Sequence, residues 1–232
     1  MVDDVYTVSL LHFDGADAST TFTDESGKTA TAVGNAKLST TQKKFGTASL
    51  VLDGTLDAVS FASSADFSPG TGAFTIDAWV YMTSTGSYST LFDMRLSDVN
   101  TAADLSLLIS WGTDRYIFTY GAGTFSNSAL NQPPQNQWVH IALVGNGGAN
   151  GSRTIKCYIN GTLSHTLTAD YNLTRNSFSI GNDVGYNTGN GVVGYIDEVR
   201  FSKGIQRWTT NFTPPTSAYA PAGNSSAFFQ MF

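Results

Sequence analysis

Charge is scarce in this chain. Asp, Glu, Lys and Arg make up 13% of its 232 residues, about half the usual share of a globular protein. Glutamate is scarcer still, with Glu25 and Glu198 its only two positions. The formal net charge of −6 leaves no basic stripe to displace counterions, so nucleic-acid binding is not expected. Cys157 is the single cysteine, which excludes an intramolecular disulfide. It lies in step with Ile155 and Ile159 and reads as a small buried hydrophobe. No apolar run reaches the roughly 18 residues of a membrane helix, so no membrane partner is expected. Met1-Val2-Asp3-Asp4 lacks a basic n-region followed by an apolar stretch, so a signal peptide is not expected. No window sustains a helical period beyond a turn or two, and Ser202–Trp208 is the one place given a helical turn.

Alternation fills the space that helices leave. Gly191 to Pro215 carries the strongest signal. There Tyr195, Asp197, Val199 and Phe201 alternate with Ile196, Glu198 and Arg200, writing two faces at period two. Gly204 breaks the run, and Pro214-Pro215 forbid further ladder pairing. A long strand near the C-terminus points to a sandwich whose last strand returns beside its first. Further strands are expected at Val5–Phe13, Ala48–Leu52, Ala58–Ala62, Ala73–Met82, Ser89–Met94 and Asp104–Ser110. The series continues through Tyr116–Tyr120, Trp138–Val144, Thr154–Ile159, Leu163–Leu167 and Ser177–Ile180. Asn160-Gly161 is a two-residue hairpin turn, since both positions accept positive φ. Loops are expected at Thr83–Tyr88, Asn127–Gln137 and Asn182–Asn190. Residues 1–215 read as one domain, and 216–232 as a Pro/Ala/Ser linker with an apolar tail. In that tail Phe228, Phe229, Met231 and Phe232 either dock back on the sandwich, engage another chain, or stay disordered.

Five segments carry a family likeness. Phe74-Thr75-Ile76-Asp77-Ala78-Trp79-Val80, Trp138-Val139-His140-Ile141-Ala142 and Tyr158-Ile159-Asn160-Gly161 each resemble a strand or hairpin of laminin G-like domains. Gly194-Tyr195-Ile196-Asp197-Glu198-Val199-Arg200-Phe201 resembles their closing strand, and Ala48-Ser49-Leu50 with Leu52-Asp53-Gly54 completes the set. The order is right across Leu10 to Pro215. The resemblance implies an all-β fold, a concanavalin A-like jelly-roll sandwich of two antiparallel sheets. A narrower likeness links Leu11-His12-Phe13-Asp14-Gly15 and the segment Phe201 to Pro215 to this domain in bacteriophage virion proteins. It implies a non-enzymatic structural part, a capsid decoration or tail-fibre component, assembled in the host cytoplasm. Other virion proteins would be its partners, a symmetric oligomer is expected, and the apolar tail would make the contact. The alternative is a carbohydrate-binding module for host-surface glycans, with or without calcium.

Candidate chemistry is sparse. Glycoside hydrolysis needs two carboxylates at set separation, usually with a Glu as acid. Glu25 reads as a surface turn, no E-x-D-x-x-E run occurs, and Asp77 has no acid two residues away, so no enzyme is expected. His12, His140 and His165 read as structural imidazoles. Calcium takes six to eight oxygens. The loop from Asn182 and Asp183 to Asn190 offers several, and the resemblance to pentraxins implies Asp104 as a second contributor. A solvated turn is the other reading. Asp14 and Asp197 form a second cation candidate, unless Asp197 accepts backbone amides of a neighbouring loop. No other cofactor is expected. For glycans, Tyr186, Asn187, Asn190 and Asp104 are the candidate ligand-binding residues. Tyr88, Tyr116, Tyr120 and Tyr171 are further aromatics near loops or strand ends, whereas Trp79, Trp111 and Trp138 read as core.

Overall fold

Alternating apolar segments with little charge fold into a two-layer sandwich. The computed structural model describes residues 5–83, 88–95, 105–110, 117–121, 124–128, 133–168, 170–183 and 191–220. One sheet, here sheet A, is antiparallel and built from β1 (Thr7–Leu11), β4 (Lys37–Ser39), β5 (Ser49–Asp53), β7 (Ala73–Met82), β12 (Trp138–Asn146), β13 (Thr154–Ile159), β14 (Thr162–Thr168) and β16 (Val193–Lys203). Its order is β14-β13-β12-β7-β16-β5-β4, with β1 also paired to β16. The last strand therefore lies beside the first, as the sequence suggests. The facing sheet B runs β11 (Thr124–Ser128), β10 (Ile117–Gly121), β9 (Leu105–Ser110), β8 (Tyr88–Asp93), β15 (Ser179–Ile180), β6 (Ala58–Phe61), β3 (Thr29–Val33), β2 (Thr21–Thr23).

The inward phase of each strand fills the space between the sheets. Phe74, Ile76, Val80 and Met82 of β7 meet Val139, Ile141 and Leu143 of β12 in one buried cluster. Phe67, Phe178 and Phe201 lie 5.2–5.5 Å apart by ring centroid within it. Cys157 belongs to the same cluster, and burial pushes its thiol up to about 12. It is the inert hydrophobe that its neighbours imply.

Two expectations change. In β16 the phase does not run straight through: register shifts between Asp197 and Arg200, and Glu198 takes φ +53°. Tyr195, Asp197 and Arg200 therefore face outward, while Ile196, Val199 and Phe201 face the core. A bulge re-aims side chains in this way. The helical turn expected at Ser202–Trp208 does not form. β16 continues to Lys203. Beyond it the chain folds back over the outer face of sheet A, where Thr75 Oγ1 donates to Ile205 O at 3.1 Å and accepts from Arg207 N–H at 3.0 Å. Those bonds satisfy backbone groups that a helix would have satisfied internally. A 3-10 turn lies elsewhere, at Ala65–Phe67, capped by Ser64.

The segment 205–220 is a strap. Trp208 and Phe212 stack with centroids 3.9 Å apart and interplanar angle 8°, and both rings press edge-on to His140. Tyr219 is buried, so the packed chain continues beyond Pro215. Asn160 (φ +47°) and Gly161 (φ +75°) form the expected β13–β14 turn. Phe212 N–H donates to Gly161 O at 2.9 Å, and a Cβ on Gly161 would lie 1.8 Å from Phe212 O. Gly161→Ala thus meets both a left-handed backbone and a backbone clash. We expect it to cost about 2–3 kcal/mol in urea denaturation and to raise the solvent exposure of Trp208 fluorescence. A loss below about 0.5 kcal/mol would mean that the strap does not rest on this turn.

Candidate functional site

The outer face of sheet A divides into a covered part and an open part. On the covered part, Asp77 of β7 lies between Arg200 of β16 and His140 of β12. Arg200 Nε donates to Asp77 Oδ1 at 3.1 Å and its Nη2 to Oδ2 at 3.0 Å. His140 Nε2 is 3.4 Å from Asp77 Oδ2 and 3.1 Å from the Tyr219 hydroxyl. The Tyr219 hydroxyl also donates to Asp77, and the Arg200 guanidinium lies 3.9 Å from the Tyr219 ring centroid. Burial alone would push the Asp77 carboxyl up, but Arg200 and His140 together hold it well below the ordinary range. Tyr219 is pushed well up by burial and by Asp77. All four residues are buried under the strap. An acid, an imidazole and a phenol in contact resemble catalytic machinery. Here they are buried, and their bonds fasten the strap to the sheet.

Glu198 is fastened in the same way. Its Oε2 accepts from Tyr219 N–H at 2.8 Å and its Oε1 from His12 Nδ1 at 2.9 Å, which raises the His12 pKa. His165 is lowered to about 4 by burial and rests 3.3 Å from Ser164 Oγ. The three histidines thus have structural surroundings.

The loop 40–48 covers the adjoining stretch. Lys44 Nζ sits 3.8 Å from the Trp79 ring centroid, and Phe45 meets Trp79 edge-on at 6.1 Å. Asp197 and Asp14 hold this loop. Asp197 Oδ2 accepts from Lys44 N–H (2.7 Å) and Phe45 N–H (3.1 Å), and its Oδ1 accepts from Glu198 N–H (2.9 Å). Asp14 accepts from the Thr47 N–H and, at 2.9 Å, from the Thr47 hydroxyl. The two acids serve backbone amides at successive points of one loop, which is the alternative weighed for Asp197. Asp183 is buried and its Oδ2 lies 3.4 Å from Arg95 Nη2, while Asn182 Oδ1 accepts from Asp183 N–H at 2.8 Å. Arg95 is shared, its Nε donating to Asp93 Oδ1 at 2.6 Å, and the rest of the proposed calcium loop lies outside the described residues. Among the described residues no group of three or more His, Cys, Asp or Glu is arranged to hold a metal. Asp104, Tyr186, Asn187, Asn190 and the tail positions Phe228, Phe229, Met231 and Phe232 lie outside the described residues.

Burial pushes the Asp197 carboxyl up to about 7, against the pull of its amide donors. In the unfolded chain that carboxyl ionises near 4. Between those values the folded state holds a proton that the unfolded state has lost, so stability falls as pH rises. Asp197→Asn removes the titration and keeps one of the two acceptor oxygens, at a cost that does not depend on pH. The stability of the variant relative to the parent should improve from pH 5 to pH 8 in urea denaturation. A difference that does not change with pH would contradict the assignment.

The open part lies one row further along the strands. Trp138 of β12 pairs with Tyr81 of β7, Tyr81 with Tyr195 of β16, Tyr195 with Val51 of β5, and Val51 with Lys37 of β4. All five point outward and none is buried. At about 4.8 Å per strand, the row spans about 19 Å. Tyr81 is flanked by Trp138 at 5.6 Å and by Tyr195 at 6.0 Å, with interplanar angles of 62° and 78°. The covered row Trp79–His140, roofed by Phe45, Lys44 and Trp208, stands beside it as a wall. At the Lys37 end the row opens into a cavity of about 500 Å³, whose lining includes Thr20, Asn35, Val51, Asp53 and Asp57.

Trp138 therefore corrects the sequence reading: it is half-buried on the outer face, not core. Trp79 is buried, but against the roof and not between the sheets. Tyr171 is buried, its hydroxyl accepting from Gly147 N–H at 2.7 Å, so it is no ligand platform. Tyr81 and Tyr195 were not among the sequence candidates. Their signal was their place on the outward phase of strongly alternating strands.

The chain belongs to the concanavalin A-like lectin/glucanases superfamily, whose laminin G-like family model matches residues 53–205. The strap lies almost wholly beyond that match. No curated protein sequence matches the chain. Among solved structures, domain 4 of AbnA, a GH43 extracellular arabinanase of Geobacillus stearothermophilus, is similar at 22% identity and TM-score 0.63, over 87% of this chain and 94% of that one. That domain was solved in complex with arabinotriose. The binding domain of botulinum neurotoxin DC, solved in complex with SialylT, is similar at 13% identity and TM-score 0.57, over 87% of this chain and 49% of that one. A Trypanosoma rangeli sialidase is similar at 16% identity and TM-score 0.60, over 88% of this chain and 32% of that one. This chain thus spans about half of the toxin domain and a third of the sialidase. At these identities the likeness is one of fold.

Proposed function

We propose that this chain is a carbohydrate-binding module that takes a glycan across the outer face of sheet A. The observation that carries this reading is the open row Trp138–Tyr81–Tyr195, three half-exposed rings on adjacent strands beside a fixed wall. Aromatic faces suit the apolar faces of sugar rings, and polar groups at the rim suit their hydroxyls. Neighbours of the same fold carry glycan ligands, arabinotriose in one and SialylT in another, which supports the reading by analogy of architecture.

We carry binding, not turnover, as the role in this proposal. Glu198 is spent on His12 and Tyr219, and Glu25 stands on an exposed turn. Neither belongs to an open carboxylate pair of the kind hydrolysis needs. A glycan-binding module suits the host-facing part of a bacteriophage tail, and we carry that setting as part of the proposal. In it, Phe228, Phe229, Met231 and Phe232 would contact other virion proteins. The test is an array of neutral and acidic glycans probed with the intact chain and with Trp138→Ala. Binding by the first that is lost in the second supports the reading. Absence of binding to every glycan overturns it.

A further inference from the structure

The cavity at the Lys37 end gives this surface a chemical preference. Lys37 and Asp53 are exposed at its mouth, and Asn35 and Thr20 line it. Asp57 is buried at its base, with Oδ1 accepting from Asn35 N–H at 2.5 Å and Oδ2 from Asp53 N–H at 3.1 Å. Gly34 makes this packing possible. Its φ is +65°, and a Cβ there would lie 2.4 Å from Asp57 Oδ1. Asp53 Oδ1 accepts from Thr55 N–H at 2.9 Å. That bond, with a smaller contribution from Asn35, holds the Asp53 carboxyl below its ordinary range. The lining thus places two aspartates against one lysine.

The cavity and the aromatic row are one continuous surface, since Val51 and Lys37 belong to both. We propose that the ligand is a neutral oligosaccharide of three or more units, laid across the strands, whose terminal unit enters the cavity and is held there by Asp53 and Lys37. This inference rests on the glycan reading and narrows it. A carboxylate accepts hydroxyl hydrogens, whereas an ammonium and an amide donate to sugar oxygens, so a neutral polyol is matched at every position. An acidic sugar would bring its own negative charge against the exposed Asp53 carboxylate, which repels it. Trimming the ligand should weaken it stepwise, because a disaccharide cannot occupy both the row and the cavity.

The test is titration calorimetry on the intact chain. The neutral probes are tri- and tetrasaccharides of arabinose, xylose and glucose with their disaccharides; the acidic probes are sialyllactose and trigalacturonic acid. At least one neutral tri- or tetrasaccharide should bind tenfold or more tighter than either acidic probe and than its own disaccharide. Asp53→Asn keeps the oxygen that accepts from Thr55 and removes the charge. It should weaken the neutral ligand about tenfold and narrow the gap to the acidic probes. Acidic probes binding as well as neutral ones would overturn the inference while leaving the glycan reading intact. So would affinities and selectivity unchanged by Asp53→Asn, or a disaccharide that binds as tightly as the longer chain. No binding by any probe would instead remove the glycan reading itself. Circular dichroism of the variant, unchanged from the parent, separates lost recognition from lost fold.

Discussion

Arg200→Met is expected to lower stability by about 3–5 kcal/mol, the usual cost of stranding one member of a buried ion pair. Asp77 would keep His140 and Tyr219 but lose both guanidinium bonds. Its carboxylate has no water to turn to, because it is fully buried. Burial, the largest influence on Asp77 in the parent, would then be opposed mainly by His140. The carboxyl pKa should rise, so the variant should gain stability, relative to the parent, as pH falls and the carboxyl takes a proton. The strap should loosen too, since Tyr219 loses the guanidinium stacked 3.9 Å from its ring. Asp77→Leu together with Arg200→Met removes both charges and should be less destabilised than the two single changes summed. Urea denaturation at pH 5 and pH 8 gives all of these values. A loss under about 1 kcal/mol for Arg200→Met would mean that the network does not fasten the strap.

Trp138→Ala should weaken glycan binding by about 2 kcal/mol, or about thirtyfold in Kd, the scale of an aromatic anchor at a binding surface. Trp138 ends the ring row and is half-buried, so its removal takes away contact area without opening the core. Tyr195→Ala, on the far side of Tyr81, should weaken binding comparably, because it interrupts the path to the cavity. Tyr195→Phe keeps the ring and should keep most of the affinity if stacking is what Tyr195 supplies. Trp208→Ala serves as the contrast. Trp208 belongs to the strap and stands in the wall, not in the row, so this change should cost stability and weaken binding less than Trp138→Ala. Calorimetric titration of the four variants against the best neutral ligand separates these effects. Equal loss from Trp138→Ala and Trp208→Ala would argue that general loosening, not contact, controls binding.

The strands that were legible are long ones whose inward phase is apolar. β7, β12 and β16 pair as the central strands of sheet A, and the Asn160-Gly161 turn joins β13 to β14. Strands β2 and β3 were missed because their outward positions are threonines and Val33 and their inward ones are Phe22, Ala30 and Ala32, a weak contrast in a polar stretch. The three residues of β4 were too few to show a period. The phase of β16 was misread past Asp197 because a bulge leaves no mark in composition.

The site was legible only in part, for a tertiary reason. Asp77, Trp79 and Tyr81 share one outward phase on β7, and nothing local tells them apart. The strap and the loop 40–48 cover the first two and leave the third open. Those covers come from 30 residues upstream and 130 downstream, beyond the reach of a strand pattern. The backbone amides that Asp197 accepts are likewise distant in sequence.

Indole N–H signals of the intact chain, followed by NMR during titration with a neutral tetrasaccharide, test the central claim most directly. The Trp138 signal should shift with saturation, while Trp79, buried under Lys44 and Phe45, should stay in place. A saturable shift at Trp79 or Trp208 with Trp138 unmoved would place the ligand elsewhere and contradict the account.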